Sequence, residues 1–469
     1  MVWHTLIPLV FWFCILNIPP TYVNSLSEKH IFPTSPRFMQ VEGLDIWRVL
    51  KGAGVKYIYF VIVDIYGRPR VDIMPIDMAR DAFIDGVPYD GSSIPAYSTV
   101  NRSDFVAVVD PSAVYVESWN GGKAAYVFTN TLDGNAPSPL DPRNVLKQAL
   151  ERAEKRGYQF KIGVEIEYFI VRGNPPELPE RAGYFDVPPG ATRKVVEEIM
   201  ENFAAAGLGE TKTHHEVAPS QFEVNIPYGN PLKVADSILV FKIMAKAIAA
   251  KYGYIATFMP KPFWGMNGSG AHTHISVWKD GKNLMASVKE PTQELKWVVG
   301  GILNNAISIS AIVAPTVNSY KRLVPHHEAP TRVVWGLGNR SAMVRVPYYG
   351  GKINRIEYRH PDPSMNPYLA FAAMVLAGLE GLENKIEPPP PVQEVAYDLQ
   401  GVRETPPNLG AALKYMEEGK IARELPSEIV KAYLGVKQAE WQSYVQQYQW
   451  EKTWNTITPW EYEQYLTTV

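Results

Sequence analysis

The sequence predicts an α+β protein with a small β-rich domain first and a larger domain of helices and short strands after it. Three observations carry that expectation. At 469 residues the chain exceeds what one compact core usually serves. Within residues 55–73 two alternating apolar runs flank the turn Asp64-Ile65-Tyr66-Gly67-Arg68-Pro69, with Tyr57, Tyr59, Val61 and Val63 on one face of the first run. At Leu140-Asp141-Pro142-Arg143 an aspartate N-cap and a proline at the first helical position open a periodic run to Arg156, which marks a domain boundary. The expected division is residues 1–38, 39–139 and 140–469.

Residues 1–38 differ in character from the rest. The apolar run from Leu6 to Leu16, with Phe11, Trp12, Phe13 and Cys14, is too short to span a bilayer. Only His4 precedes it and Ile18-Pro19-Pro20 follows, which is a poor signal-peptide pattern. Met39 is therefore the expected start of the folded protein. Beyond the boundary, helical patterns at 192–206, 231–252, 292–311 and 367–384 alternate with short strands. A proline run at 388–391 ends the last of these helices, and a helical section covers 409–447. With 46 basic against 48 acidic residues the net charge is -2, so no electrostatic footprint for nucleic acid or an anionic membrane is present. A single cysteine excludes an internal disulfide framework and a cysteine-rich metal site, and fits a reducing, cytoplasmic setting.

Four short segments carry the chemistry. In the first, Glu165 and Glu167 alternate with Val164, Ile166 and Tyr168; strand geometry then puts both carboxylates on one face, about 7 Å apart. The others repeat the design: Gln221, Glu223 and Asn225 alternate with Phe222 and Val224; His272, His274 and Ser276 with Thr273 and Ile275; Arg355, Glu357 and Arg359 with Ile356 and Tyr358. One such strand is readily a solvated face, but four make a sheet with a core behind it and a reaction site in front. Each pair of like charges at ~5 Å and an effective dielectric near ~20 costs roughly 3 kcal/mol, so a cation must neutralise them. Oxygen-rich ligands with an occasional imidazole suit Mg²⁺ or Mn²⁺. Arg322, Arg340, Arg345, Arg355, Arg359 and Lys352 add donors matched to carboxylates and phosphates. Together these imply phosphoryl transfer near an anionic substrate. Asn267-Gly268-Ser269-Gly270, before the third strand, reads as a hairpin turn.

These residues resemble glutamine synthetase of the prokaryotic dodecameric type, in its short form without the insertion linked to adenylylation. The resemblance runs from about Gly43 to Val469 and rests on Asp90-Gly91-Ser92-Ser93, Gly163-Val164-Glu165-Ile166-Glu167, His214-His215-Glu216-Val217-Ala218, Asn267-Gly268-Ser269-Gly270-Ala271-His272-Thr273-His274, Asn318-Ser319-Tyr320-Lys321-Arg322, Asn339-Arg340-Ser341 and Arg355-Ile356-Glu357-Tyr358-Arg359. It implies a β-grasp-like N-terminal domain and a catalytic domain whose curved, mostly antiparallel sheet is flanked by helices. It implies a glutamate-ammonia ligase using ATP and two or more Mg²⁺ or Mn²⁺ ions, assembled as two hexameric rings. Carried over residue by residue, Glu167, Glu216 and Glu223 hold one metal and Glu165, His272 and Glu357 the other. Asn267, Gly268, Arg322, Glu328, Arg340 and Arg359 face glutamate, and His274, Ser276, Arg345, Lys352 and Arg355 face ATP. Asp90, Ser93, Tyr184 and Glu216 form the ammonium pocket, while Glu328 rides on a closing flap.

The chain also departs from the family pattern. Thr211 stands where a glutamate usually contacts ATP, the flap reads Pro325-His326-His327-Glu328, and Thr99 lacks an arginine used for feedback inhibition in some short forms. Tyr397 occupies the modified tyrosine's position, with no modification expected. Two other readings compete: a γ-glutamyl ligase for another amine such as methylamine, and a non-catalytic protein that keeps the fold. The intact ammonium-pocket residues argue against the first, and the intact metal ligands against the second.

Overall fold

The computed structural model describes residues 36–469, so the expectation for the upstream segment lies almost wholly outside the described residues. A first helix, Pro36–Gly52, leads into β1 (Tyr57–Val63). β1 pairs antiparallel with β2 (Pro69–Pro75) in the register Tyr57↔Pro75 to Val63↔Pro69. The turn between them is built by Asp64, whose carboxylate accepts the amides of Tyr66 and Arg68, both at 2.9 Å. Gly67 closes it at φ 79°, and a side chain there would meet the Asn366 backbone at 2.7 Å, so both conformation and space require glycine.

β3 (Val87–Asp90), β4 (Asp104–Val116), β5 (Ala124–Asp133) and β6 (Ala136–Pro137) complete this sheet in the order β2-β1-β5-β4-β3, with β6 on β5. β1 runs parallel to β5 and every other pairing is antiparallel. The alternation of β1 predicts one buried face, yet both are covered. Ile58, Phe60 and Ile62 join the small domain's own core with Phe83 and Phe105, while Val61 and Val63 join the main core of the molecule. That main core crosses the expected boundary, because Tyr115 and Phe128 of the small sheet pack with Val145 and Leu146 of the helix Pro142–Lys155. The helix starts as the sequence predicts, Asp141 accepting the Arg143 amide at 2.9 Å. Arg143 itself is fully buried and bridges Asp110 of β4, at 2.7 Å, to Asp236 on the helix Pro231–Lys251.

The large domain holds a nine-stranded sheet in the order β14-β15-β17-β11-β7-β9-β8, with β10 on β7 and β12 (Lys282–Asn283) on β11, while β13 (Ser287–Val288) and β16 (Lys352–Ile353) pair apart from it. Its members that matter here are β7 (Gln159–Val171), β8 (Thr213–His215), β9 (Gln221–Gly229), β10 (Ile255–Thr257), β11 (Ala271–Lys279), β14 (Trp335–Leu337), β15 (Val344–Val346) and β17 (Ile356–Tyr358). Only β14 and β15 pair in parallel. The helices Pro231–Lys251 and Pro367–Asn384 bury their apolar residues in the core behind the sheet.

One helical expectation is corrected and another is resolved into its parts. The 292–311 pattern breaks into Gln293–Asn305 and Ser310–Val313. Asn305 donates to the Gly301 carbonyl (2.9 Å) and to Glu380 (2.7 Å), while Ser308 and Ser310 back-bond to Asn305 and Ala306, so polar side chains compete with the helix ladder. The 409–447 section is three helices, Leu409–Glu418, Lys420–Glu424 and Ser427–Gln447, interrupted at Gly419 and Pro426. The Pro367–Asn384 helix stops ahead of the proline run because Lys385 turns left-handed at φ 49°. No helix among the described residues is long and apolar enough to cross a membrane.

Candidate active site

β7 sends Val164, Ile166 and Tyr168 into the main core. Period-two alternation therefore turns Glu165 and Glu167 to the opposite face of the sheet. Pairing with its neighbours then assembles a row of charged groups across six strands. Glu167 faces Glu223 on β9, which faces His214 on β8; Glu165 faces His272 on β11; His274 faces Glu357 on β17, which faces Arg345 on β15.

At one end, His214 Nε2 lies 2.9 Å from Glu216 and its Nδ1 3.8 Å from Glu223. In the centre, the Nδ1 of His272 is buried without a hydrogen-bond partner and lies 3.6, 3.7 and 3.9 Å from Glu167, Glu165 and Glu357. At the other end Glu357 is gripped by Arg345 (2.6 Å) and by Arg359. His274 has a defined tautomer: Arg355 Nε donates to its Nδ1 at 3.1 Å, so its Nε2 carries the proton that meets Glu165 at 3.0 Å.

The charges are unevenly compensated. Burial, then the nearby Glu216 charge, raises the Glu167 carboxyl to about 8; burial, then Glu165 and Glu167, raises Glu223 to about 10. Glu357 moves the other way, to about 2: burial opposes its ionisation, but the Arg359 guanidinium prevails. Burial and the Arg359 charge lower His272 to about 4, keeping its imidazole neutral. A neutral imidazole with an unused lone pair, set among carboxylates too far for hydrogen bonds, fits a hard divalent cation placed between them. Atoms of Glu165, Glu223 and His272 all lie within 4.8 Å of one another, as do those of His214, Glu216 and Glu223.

These triads differ from the expected ligand sets. Glu167 gives one oxygen to the Gly270 amide (2.8 Å) and the Gln221 amide group (3.2 Å), and Glu357 is held by its arginines, so neither belongs to a triad. His214 belongs to one although the sequence assigned it no role. It sits two residues before Glu216 and opposite Glu223, under the ring of Phe185, which stacks on it at 4.7 Å and 13°. Tyr184, 49% exposed, meets His214 edge-on at 5.5 Å.

The segment at 267–270 is no hairpin turn. It ends the long loop 258–270 between β10 and β11, which pair in succession with the same edge of β7, opposite β9. Its glycines make room: a side chain on Gly268 would meet the Pro260 carbonyl at 2.4 Å, and one on Gly270 would meet His272 at 2.5 Å and Arg322 at 2.8 Å. Asn267 is half-buried beside it. Arg322 is buried, spending two nitrogens on the carbonyls of His360 (2.9 Å) and Arg359 (3.0 Å), and Arg359 reaches the Glu328 carbonyl at 3.3 Å. Glu328 and Arg340 are exposed, and Glu328 and His326 adopt left-handed backbone at φ 57° and 64°. His326 packs on the half-buried Tyr397 with ring centres 5.1 Å apart.

Ser276 accepts from Trp278 (3.0 Å), Arg345 also reaches the Tyr349 hydroxyl (3.1 Å), and Lys352 is exposed. Thr211 bonds back to the Asn225 carbonyl of β9. Asp90 and Ser93 are not brought to the row: both are exposed, and the Asp90 carboxylate accepts from Ser92 and Ser93 of its own loop at 2.6–2.9 Å.

A carboxylate-rich sheet face flanked by arginines fits the class of metal-using enzymes that act on phosphate and carboxylate groups. Comparison with known proteins makes this specific. The catalytic-domain model of glutamine synthetase matches residues 139–465 and its beta-Grasp domain model residues 54–134. The chain is 40% identical to the glutamine synthetase of Pyrococcus furiosus over 88% of its own length and 97% of the relative's. It is 40% identical to that of Thermotoga maritima over 90% and 98%. A solved GmaS/ADP complex superposes with a TM-score of 0.81 at 29% identity, covering 90% of this chain and 99% of that one. The chain belongs to the glutamine synthetase family, and its activity is that of a glutamate-ammonia ligase.

Proposed function

We propose that the row of carboxylates and arginines along β8, β9, β7, β11, β17 and β15 is where this chain activates glutamate with ATP and then aminates it with ammonium. The observation that carries the reading is the surplus of buried carboxylate around the unpartnered His272 Nδ1. Glu165, His272 and Glu357 would hold one Mg²⁺ or Mn²⁺ ion, and Glu167, Glu216 and Glu223 another, with His214 able to take part. Such ions neutralise phosphate oxygens and orient the transferred group.

The chain's own groups then divide the work. His274, Ser276, Arg345, Lys352 and Arg355 bind ATP; Asn267, Gly268, Arg322 and Arg359 bind glutamate. The glutamate γ-carboxylate attacks the γ-phosphorus of ATP, giving ADP and γ-glutamyl phosphate, while Arg340 offsets charge on the transferring group. Asp90 and Glu216 take a proton from ammonium next to Tyr184 and Ser93, and ammonia displaces phosphate from the acyl carbon. Glu328 and its loop keep water from the acyl phosphate.

Asp90 is exposed and bonded only within its own loop, which favours a site completed between subunits of a closed ring, in a dodecamer of two hexamers in the cytoplasm. The rival reading is a γ-glutamyl ligase for another amine such as methylamine. The deciding measurement is ATP-dependent product formation with ammonium against methylamine: glutamine formed at least tenfold faster supports this reading, and preferential turnover of methylamine overturns it.

A further inference from the structure

Two lysines, Lys261 and Lys321, are wholly buried in one network next to the residues proposed to bind glutamate, and only Lys321 is paired with an acid. Lys321 donates to Glu461, to the Tyr444 hydroxyl (3.0 Å) and to the Thr456 carbonyl (2.7 Å), so its three donors are spent. That pair fastens the C-terminal helix Pro459–Tyr465 to the turn Ser319–Arg322. Lys261 forms no ion pair among the described residues, and its ammonium donates to the Met266 carbonyl. The Trp264 ring lies 5.7 Å from that ammonium. Burial, with the Arg322 charge adding, lowers the Lys261 pKa to about 8. A buried ammonium without a counter-ion costs stability, which points to a task other than packing.

Asn318 holds the backbone of Lys261 from both sides, accepting its amide at 2.6 Å and donating to its carbonyl at 3.0 Å. Asn318 also donates to Glu461 at 2.7 Å, so this point of the chain is tied to the C-terminal helix. From there the Lys261 side chain reaches forward to Met266, the residue before Asn267 and Gly268. Beyond Asn267 the loop is closed by the Ser269 amide on the Pro260 carbonyl (2.7 Å) and by Gln221 on the Gly268 carbonyl (3.1 Å). Ahead of Asn267 it passes through the exposed Trp264 and Gly265, and there the Lys261 bond is the one that holds Met266.

We infer that Lys261 is a positioning residue for glutamate, its ammonium fixing the Met266 carbonyl and thereby the placement of Asn267 and Gly268 against the substrate. This rests on the reading of Asn267 and Gly268 as glutamate contacts.

The test is steady-state glutamine formation by the full chain and by Lys261→Met, which keeps the length of the side chain and removes the donor. Glutamate KM rises about tenfold, as the loss of one charge-assisted bond allows, while kcat and the ATP KM stay within about threefold. Tm equals or exceeds that of the wild type, because an uncompensated buried charge has gone. Should Lys261→Met fail to fold, Lys261→Gln is measured in its place and the same split between the two KM values is required of it. An unchanged glutamate KM overturns the inference, and so does a lower Tm with both KM values raised together, which is the mark of a merely structural lysine. The unmutated control keeps the two readings apart: a wild-type chain that forms no glutamine refutes the reading of the site itself.

Discussion

Two buried charge clusters in this chain differ in a way that separates structure from function. Around Arg143 one guanidinium lies between Asp110 and Asp236, Lys147 lies 3.5 Å from Asp110 as the second cation, and Tyr368 donates to Asp236 at 2.5 Å. Burial alone would weaken the charge on Arg143, but the two carboxylates outweigh it and hold its pKa well above the ordinary value. At the reaction site the sums do not close. Arg345 and Arg359 serve Glu357, while Glu167 and Glu223 are raised to about 8 and about 10. A neutralised cluster holds elements together; a cluster with surplus charge of one sign is built to receive something.

Breaking the neutralised cluster gives the largest effect on stability. Arg143→Ala takes the shared guanidinium from two buried aspartates, leaving Asp236 only the Tyr368 hydroxyl and Asp110 only Lys147 and Ser112, so a loss of about 3–5 kcal/mol is expected in denaturant unfolding. A loss below about 1 kcal/mol would show that Asp110 and Asp236 find other partners.

Next comes the reaction site. Glu357→Ala is expected to lower turnover ~100-fold or more while the fold is retained, since ligand or supporting groups of metal sites cost at least that order. Asp90→Ala is expected to be inactive too, and co-assembly of the two variants restores part of the activity where an intact small domain meets an intact metal site. Mixed assemblies that form and stay inactive refute the shared site.

The smallest effect is a pH slope. Glu167 and Glu223 have folded pKa values above the unfolded value, so above about pH 4.5 the unfolded chain has released protons that the folded chain still holds. Metal-free protein therefore loses stability as pH rises from about 4.5 toward 8–10, and saturating Mg²⁺ reverses the slope by favouring the ionised carboxylates. Melting curves in chelator at pH 6 and 9 check this; a metal-free Tm that rises with pH contradicts it.

Much of this was legible because the site is written in strand alternation. Glu165 and Glu167 announce themselves by their spacing, as do His272 and His274, and the helix start at Asp141 is a local signal. What the sequence left hidden was set by distant partners. His214 gains its place only through its register with Glu223, the committed bonds of Glu167 depend on Gly270 and Gln221, and the break near Asn305 depends on Glu380. Nor does alternation in β1 reveal that both of its faces are covered, because the second cover comes from residues 115–150.

That doubly covered strand also governs how the enzyme can move. A small domain resting on a larger one by a polar, replaceable surface would be free to swing, as domains often are. Here β1 is common to two cores and Arg143 bolts the same sheet to the helix behind the catalytic face, so no hinge separates Asp90 from its own chain's large domain. Outside that frame lies the exposed 325–328 loop, whose left-handed His326 and Glu328 give it a shape of its own. The two domains of the chain are one fixed frame, and whatever shape change the reaction needs is left to short loops at its surface.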